Sequence, residues 1–217
     1  VYHVKHNGKN GIQVFDMMFR NNSEGNNTRN HTHIYQEYES TIYALTAAID
    51  AKDHYTFSHS NNVAYYATSL ATTLGMNEDM IEIIHQAALL HDVGKIAIPD
   101  SILLKPGRLT KEEFEYMKLH TVKGCELIQA VNLEQSEELK QICYDIIRYH
   151  HERYDGKGYP DGLKGDEIPV SAQLVSLADV YDALINERCY KDAFSNEKAF
   201  NMIMNGECGT FSPKLLE

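Results

Sequence analysis

The stretch IEIIHQAALLHDVGK, residues 81–95, decides the fold. Its apolar residues recur at three and four positions, and Ile84 and Ala88 precede His91 at helical spacing. The spacing predicts a helix whose inward face ends on the adjacent pair His91 and Asp92. An imidazole and a carboxylate on a buried face are costly unless they are paired or hold a metal ion.

The same oddity recurs along the chain. His59 lies on the stripe of Val63, Ala67, Leu70 and Leu74, and His120 shares a face with Met117, Gly124 and Leu127. His150 and His151 continue the stripe of Leu139, Ile142, Cys143, Ile146 and Ile147, while Asp179 aligns with Ala172 and Val175, with Asp182 one turn further on. Any one such histidine reads best as a satisfied core residue. Five helices that each turn histidine or aspartate inward can instead converge on one point, as helical bundles do when they build a di-metal centre. Imidazole and carboxylate without thiolate suit iron, manganese, nickel or zinc, of which iron or manganese is favoured here. His3, His6, His31 and His33 lie in flanking segments and read as solvated; His54 and His85 lack the stripe and are left out of the site.

The surrounding pattern fixes the architecture. From about Glu37 onward the periodicity is helical with no convincing alternating strand, so the main domain, 37–217, is expected to be all-α. Thr110 and Glu113 form a capping box that starts the helix carrying Phe114, Met117, Gly124 and Leu127. The main interruption is RYDGKGYPDGLKGDEIP, from Arg153 to Pro169, and a long irregular stretch inside a helical domain usually serves function. Ahead of the domain, HNGKNGIQVF at 6–15 reads as the end of a hairpin within a short leader, 1–20, and the polar run that follows makes 21–36 a linker.

Composition narrows the chemistry. At 217 residues and 43% hydrophobic, the chain holds one ordinary domain with flanking segments. A net charge of -11 argues against tracking a nucleic acid polymer, which needs a basic face. Cys125, Cys143, Cys189 and Cys208 show no C-x-x-C pairing and read as reduced thiols of a cytoplasmic protein, and no apolar run is long enough to span a bilayer. The start at Val1 and the stop at Glu217 suit a segment of a longer protein.

These residues match a known family. HHERYDGKGYPDG at 150–162, with HDVGK at 91–95, resembles the HD-GYP domain of the HD phosphohydrolase superfamily, a bacterial, all-helical domain with a long Gly-rich GYP loop. The likeness extends through YTFSHSNNVAYYATSLATTLG, AALLHDVGKIAIPDSILLKPGRLT, IPVSAQLVSLADVYDAL, RCYK and GTFSPKLL. Carried over residue by residue, it implies one metal held by His59, His91, Asp92 and Asp179, and a second held by His120, His150 and His151 with Asp92 bridging. Some members hold a third metal with a Glu one turn before the first His; here that residue is Tyr55, so two divalent ions are expected. VYHVKHNGKNGIQVF at 1–15 resembles, less specifically, the end of a GGDEF domain, which would place a cyclase-like domain upstream; an accidental hairpin-like leader is the other reading.

The resemblance implies hydrolysis of cyclic di-GMP to pGpG, with GMP as a further product. Two cations roughly 3.5 to 4 Å apart can share a hydroxide and aim it at phosphorus. Lys95, with Asp92, belongs to the catalytic set and also touches phosphate; Arg188 and Lys191 clamp the phosphates, although Cys189 stands where the family commonly has proline. Gly158, Tyr159 and Pro160 form the ligand-facing lip. Glu152 and Asp182 belong to the shell behind the ligands, and Asp155 either joins them or only shapes the loop. Cyclic GMP-AMP is the close alternative substrate, a non-catalytic cyclic dinucleotide sensor is the rival from another class, and mononucleotide hydrolysis is a third reading. The stripe of Ile42, Leu45 and Ile49 suits either a second copy of the chain or its own core.

Overall fold

The computed structural model describes residues 31–53, 58–130, 137–186 and 193–217, with side chains from Ser40 onward. The leader 1–20 and its GGDEF-like resemblance lie outside the described residues, as do His54, Tyr55, Arg188, Cys189 and Lys191. The described residues from Ser40 onward belong to one compact unit. The first helix already begins at His31, so the last residues of the stretch read as linker, 31–36, are helical.

The described secondary structure is helical, without strands: α1 (His31–Asp53), α2 (His59–Thr73), α3 (Glu78–Leu89), a 3-10 turn (Val93–Ala97), α4 (Asp100–Leu103), α5 (Lys111–Ala130), α6 (Glu137–Tyr149), α7 (Val170–Ile185), α8 (Asn196–Met204) and α9 (Pro213–Leu216). A second 3-10 turn, Gly165–Glu167, closes the long loop.

Helix α3 is the central element. Asn77 caps it by accepting from the Met80 amide at 2.8 Å, and Glu78 and Asp79 place negative charge on its first turn, where the helix dipole favours it. Ile81, Ile83, Ile84, Ala87, Ala88 and Leu89 are all buried, so the helix is enclosed by α2 on one side and α6 on another. Helix α1 docks on its end, where Thr46 donates to the Leu89 carbonyl at 3.2 Å and Lys52 donates to the carbonyls of Ile96 and Ile98 at 2.8 and 2.7 Å.

A glycine contact draws α5 onto the segment after α3. A Cβ on Gly94 would lie 1.8 Å from the His120 carbonyl oxygen and 2.5 Å from the Gly124 amide nitrogen. Only hydrogens on both glycines let the 3-10 turn carrying Asp92 meet the helix carrying His120. The Thr110–Glu113 box forms as read: the Glu113 amide donates to the Thr110 hydroxyl at 3.2 Å, and the Thr110 amide donates to the Glu113 carboxylate at 2.7 Å. Phe114, however, turns outward and is 45% exposed.

Helix α6 presents Leu139, Ile142, Cys143, Ile146 and Ile147 to the core, the stripe expected from its spacing. Helix α7 lies against α2 and α6. A smaller apolar cluster of Leu177, Leu184, Ala199, Ile203 and Phe211 fastens α8 and the C-terminal segment to the far side of α7. Ile42 and Ile49 are buried within that unit, so at these two positions the chain's own core covers the stripe. Cys125 and Cys143 are unbridged thiols, and burial pushes Cys143 up to about 12 and Cys125 to about 11. Among the described residues no helix is long and apolar enough to cross a membrane.

Candidate metal centre

The inward-facing ionisable residues assemble into two groups. Asp92, His120, His150 and His151 form one, and His59, His91 and Asp179 form the other, with the ligand atoms of each group within 4.8 Å of one another. His85 belongs to neither. Asp92 faces both: its Oδ2 lies 3.3 Å from His91 Nε2, while its Oδ1 lies 3.4 Å from His120 Nε2 and 3.8 Å from His150 Nε2. In the second group, Asp179 Oδ1 is 3.5 Å from His59 Nε2.

The outer partners fix which nitrogen points inward. A carbonyl or carboxylate oxygen only accepts, so an imidazole nitrogen against it must carry the proton. His91 Nδ1 lies 2.7 Å from the Ala88 carbonyl, His120 Nδ1 2.8 Å from that of Met117, and His150 Nδ1 3.0 Å from that of Ile146. His59 Nδ1 lies 2.7 Å from Asp182 Oδ2, and Asp182 Oδ1 is itself held by Asn62 and Asn186 at 2.9 and 2.7 Å. In their neutral form all four rings therefore turn a bare Nε2 inward.

That arrangement fits a cation. Nε2 of His120 and of His150 stand 3.5 Å apart, two lone pairs facing each other. His91 Nε2 and Asp92 Oδ1 are buried without a hydrogen-bond partner, a loss of hydration that metal ligation would offset. A carbonyl or carboxylate on the outer nitrogen is the partner that metal-ligating histidines usually have.

The electrostatics divide the site. Burial drives the His150 imidazole down to about 3, drives His151 well below its usual value and lowers His120. Burial also opposes charge on His91, but Asp92 and then Asp179 outweigh it and raise His91 to about 9. Against burial, Lys95 and His91 hold the Asp92 carboxyl well below the carboxylate range.

Lys95 sits at the edge of this cluster, its Nζ 2.8 Å from Asp92 and 2.7 Å from Asp53. Asp53 was not singled out from the sequence, nor was Asp50, which accepts from Ser60 at 3.1 Å. The signal was available, because Thr46, Asp50 and Asp53 continue the stripe of Ile42 and Ile49 on α1 by the same spacing that exposed the histidines.

The long loop folds back on the metal centre. The Tyr159 ring lies over His151 at 4.7 Å, and Gly158 permits this because a Cβ there would meet Glu152 Cα and the Arg153 nitrogen at 2.3 Å. Glu152 does not reach a ligand imidazole through any hydrogen bond described; its Oε1 accepts from the amides of Asp161 and Gly162 at 2.8 and 3.0 Å and holds the loop. Asp161 is also gripped by Arg148 through two contacts of 2.8 Å. Asp155 accepts from the Lys157 amide at 3.1 Å in a local turn. Pro160 follows Tyr159 at the lip, partly exposed.

The protein-family comparison matches an HD domain over residues 43–215, most of the chain. This chain belongs to the HD-domain family. It is similar to a probable cyclic di-GMP phosphodiesterase of Vibrio cholerae, 39% identical over 194 residues that make up 82% of this chain and 43% of the relative. A 3'3'-cGAMP-specific phosphodiesterase 2 from the same organism is 40% identical, with 81% of this chain and 33% of the relative covered. A cyclic di-GMP phosphodiesterase response regulator of Xanthomonas campestris pv. campestris is 40% identical, with 85% and 48% covered. The chain thus spans less than half the length of these relatives. An HDG"Y"P protein from Bdellovibrio bacteriovorus shares the HD fold at a TM-score of 0.58 and 24% identity, covering 73% of this chain and 49% of that one.

Proposed function

We propose that the chain is a metal-dependent phosphodiesterase that opens cyclic di-GMP to pGpG, with a slower second cut to GMP open to the same site. The observation that carries this reading is the double exposure of Asp92, whose two oxygens face the His59, His91, Asp179 group and the His120, His150, His151 group. Two divalent ions, iron or manganese before nickel or zinc, fit those donors, and Tyr55 in place of a Glu argues against a third. Bound there, such ions supply Lewis acidity toward a phosphate and lower the pKa of water.

The chain's own groups complete the site. Asp182 keeps His59 in the tautomer that presents Nε2. Lys95, held by Asp53 and Asp92, offers a positive charge to a phosphate oxygen beside the cluster, and Arg188 and Lys191 are assigned to the remaining phosphate charge. Tyr159 forms the lip with Gly158 and Pro160, and Glu152 serves as the anchor of that loop rather than as an imidazole partner. The reaction is assigned to the cytoplasm, in keeping with the unbridged thiols.

A second substrate has a specific observation behind it: one relative named for 3'3'-cGAMP is 40% identical, as is one named for cyclic di-GMP. Hydrolysis of both compounds and of mononucleotides by protein loaded with manganese or ferrous iron separates the readings. Cyclic di-GMP should be cleaved fastest. Faster mononucleotide turnover, or binding of cyclic dinucleotides by fully loaded protein without cleavage, overturns the proposal.

A further inference from the structure

Helix α5 carries a feature that the metal chemistry does not use. Phe114 opens its first turns with 45% of its surface exposed. It is not a stray surface residue. Its ring meets Tyr159 edge-on, with centroids 6.2 Å apart, and Tyr159 in turn lies 4.7 Å from His151 and 6.5 Å from His120. An exposed aromatic face therefore stands one ring beyond the imidazoles of His151 and His120.

A cation sits in the corner between the two rings. Lys118, one turn after Phe114, holds its Nζ 5.1 Å from the Phe114 centroid and 5.5 Å from that of Tyr159, within cation–π range of both. Glu115 fixes it through a contact of 2.7 Å. The ammonium carries three protons, so pairing with one carboxylate oxygen leaves donors for another acceptor.

This combination suits a nucleobase. Every base has a face that stacks on an aromatic ring. Guanine alone among the bases presents N7 and O6 as adjacent acceptors on one edge, which is the edge a lysine reads. Adenine puts an amino group where guanine has O6, and that group repels the same ammonium.

Resting on the phosphodiesterase reading above, we infer that Phe114, Lys118 and Tyr159 form a guanine-binding shelf, on which Phe114 stacks one base of the cyclic dinucleotide and Lys118 selects guanine over adenine at that base. The shelf is a specificity element and takes no part in the bond-breaking step. It accepts cyclic di-GMP, and cyclic GMP-AMP with its guanine on the shelf, and disfavours cyclic di-AMP.

The test uses the metal-loaded chain with three kinds of substitution. Phe114→Leu keeps an apolar side chain but removes the π face; the expected result is a rise of roughly ten-fold to a hundred-fold in the KM for cyclic di-GMP, with metal content unchanged and recovery in Phe114→Trp. A cyclic dinucleotide carrying 8-vinylguanine, a fluorescent analogue that keeps N7 and O6, in place of both guanines should lose fluorescence on binding the parent protein and keep it with Phe114→Leu. Lys118→Met should narrow the preference for cyclic di-GMP over cyclic di-AMP by about ten-fold. Parent-like KM, quenching and selectivity in these variants would sink the shelf while leaving the phosphodiesterase standing. Joint loss of bound metal and turnover in Phe114→Leu would also overturn it, because the residue would then be structural. If the parent protein neither bound nor cleaved any cyclic dinucleotide, the underlying reading would fail first.

Discussion

The two ligand groups are built from similar residues but differ in the charge beside their rings. His120 and His150, like His91, hang from main-chain carbonyls three or four residues back, and burial lowers the pKa of His120, His150 and His151. His59 and His91 lie beside carboxylates: Asp182 and Asp179 for the first, Asp92 and Asp179 for the second. In the first group burial dominates; in the second, at His91, neighbouring charge does. A metal ion in the first displaces nothing but lone-pair repulsion. In the second, it competes with a proton that His91 keeps up to about pH 9.

Asp92 is the residue that both groups share, and its loss should be the most damaging. Asp92→Asn is expected to lower turnover on the order of a thousand-fold, from several kcal/mol of lost charge stabilisation, and to reduce bound metal in both groups. Metal analysis of the variant checks this; undiminished loading in either group would break the bridging assignment.

Gly94→Ala attacks the contact that brings the groups together. The added methyl meets the His120 carbonyl, so the predicted cost is about 1–3 kcal/mol or more of stability, read as a lower midpoint in urea. An unchanged midpoint would mean that α5 can retreat without disturbing the core.

Asp182→Asn sharpens the comparison. It preserves shape but removes the charge behind His59, and should weaken metal binding at the His59, His91, Asp179 group by about ten-fold while sparing the other. Equal weakening of both in a calorimetric titration would erase the distinction drawn above.

The metal-free protein should show the same contrast as a function of pH. His120, His150 and His151 have lowered folded values, so below about pH 6.5 the unfolded chain binds the additional protons and stability rises with pH toward that point. Asp92 and Asp179, also lowered, lose their contribution as pH falls still further. His91 acts oppositely, its contribution being complete below about 6.5 and lost as pH rises through about 9. Stability measured by urea unfolding should therefore peak at roughly pH 6.5 to 7. A steady rise to pH 9 would show that His91 is not the charged partner.

Much of this was legible before any coordinates, and the reason is periodicity. A helix face is a one-dimensional pattern, so His59, His91, His120, His150, His151 and Asp179 stood out as misplaced polar residues. What the pattern could not convey is direction at the edges of a face. Phe114 lies three residues before Met117 at helical spacing, yet in the first turns of α5 it is 45% exposed and meets only the edge of Tyr159 among the aromatic rings described. Glu152 follows two ligand histidines in sequence, but the chain turns there and its carboxylate serves the amides of Asp161 and Gly162. Asp53 and Asp50 carried the same stripe signal as the histidines on a helix that was read only for its apolar residues.

The central claim is that catalysis needs both groups filled at once. Metal-stripped protein titrated with manganese, with cyclic di-GMP cleavage followed at each step, tests it most directly. Little turnover is expected until the first equivalent of ion is taken up, then a rise over the second and saturation at two. Saturation at one ion, a requirement for a third, or full loading without cleavage would contradict it.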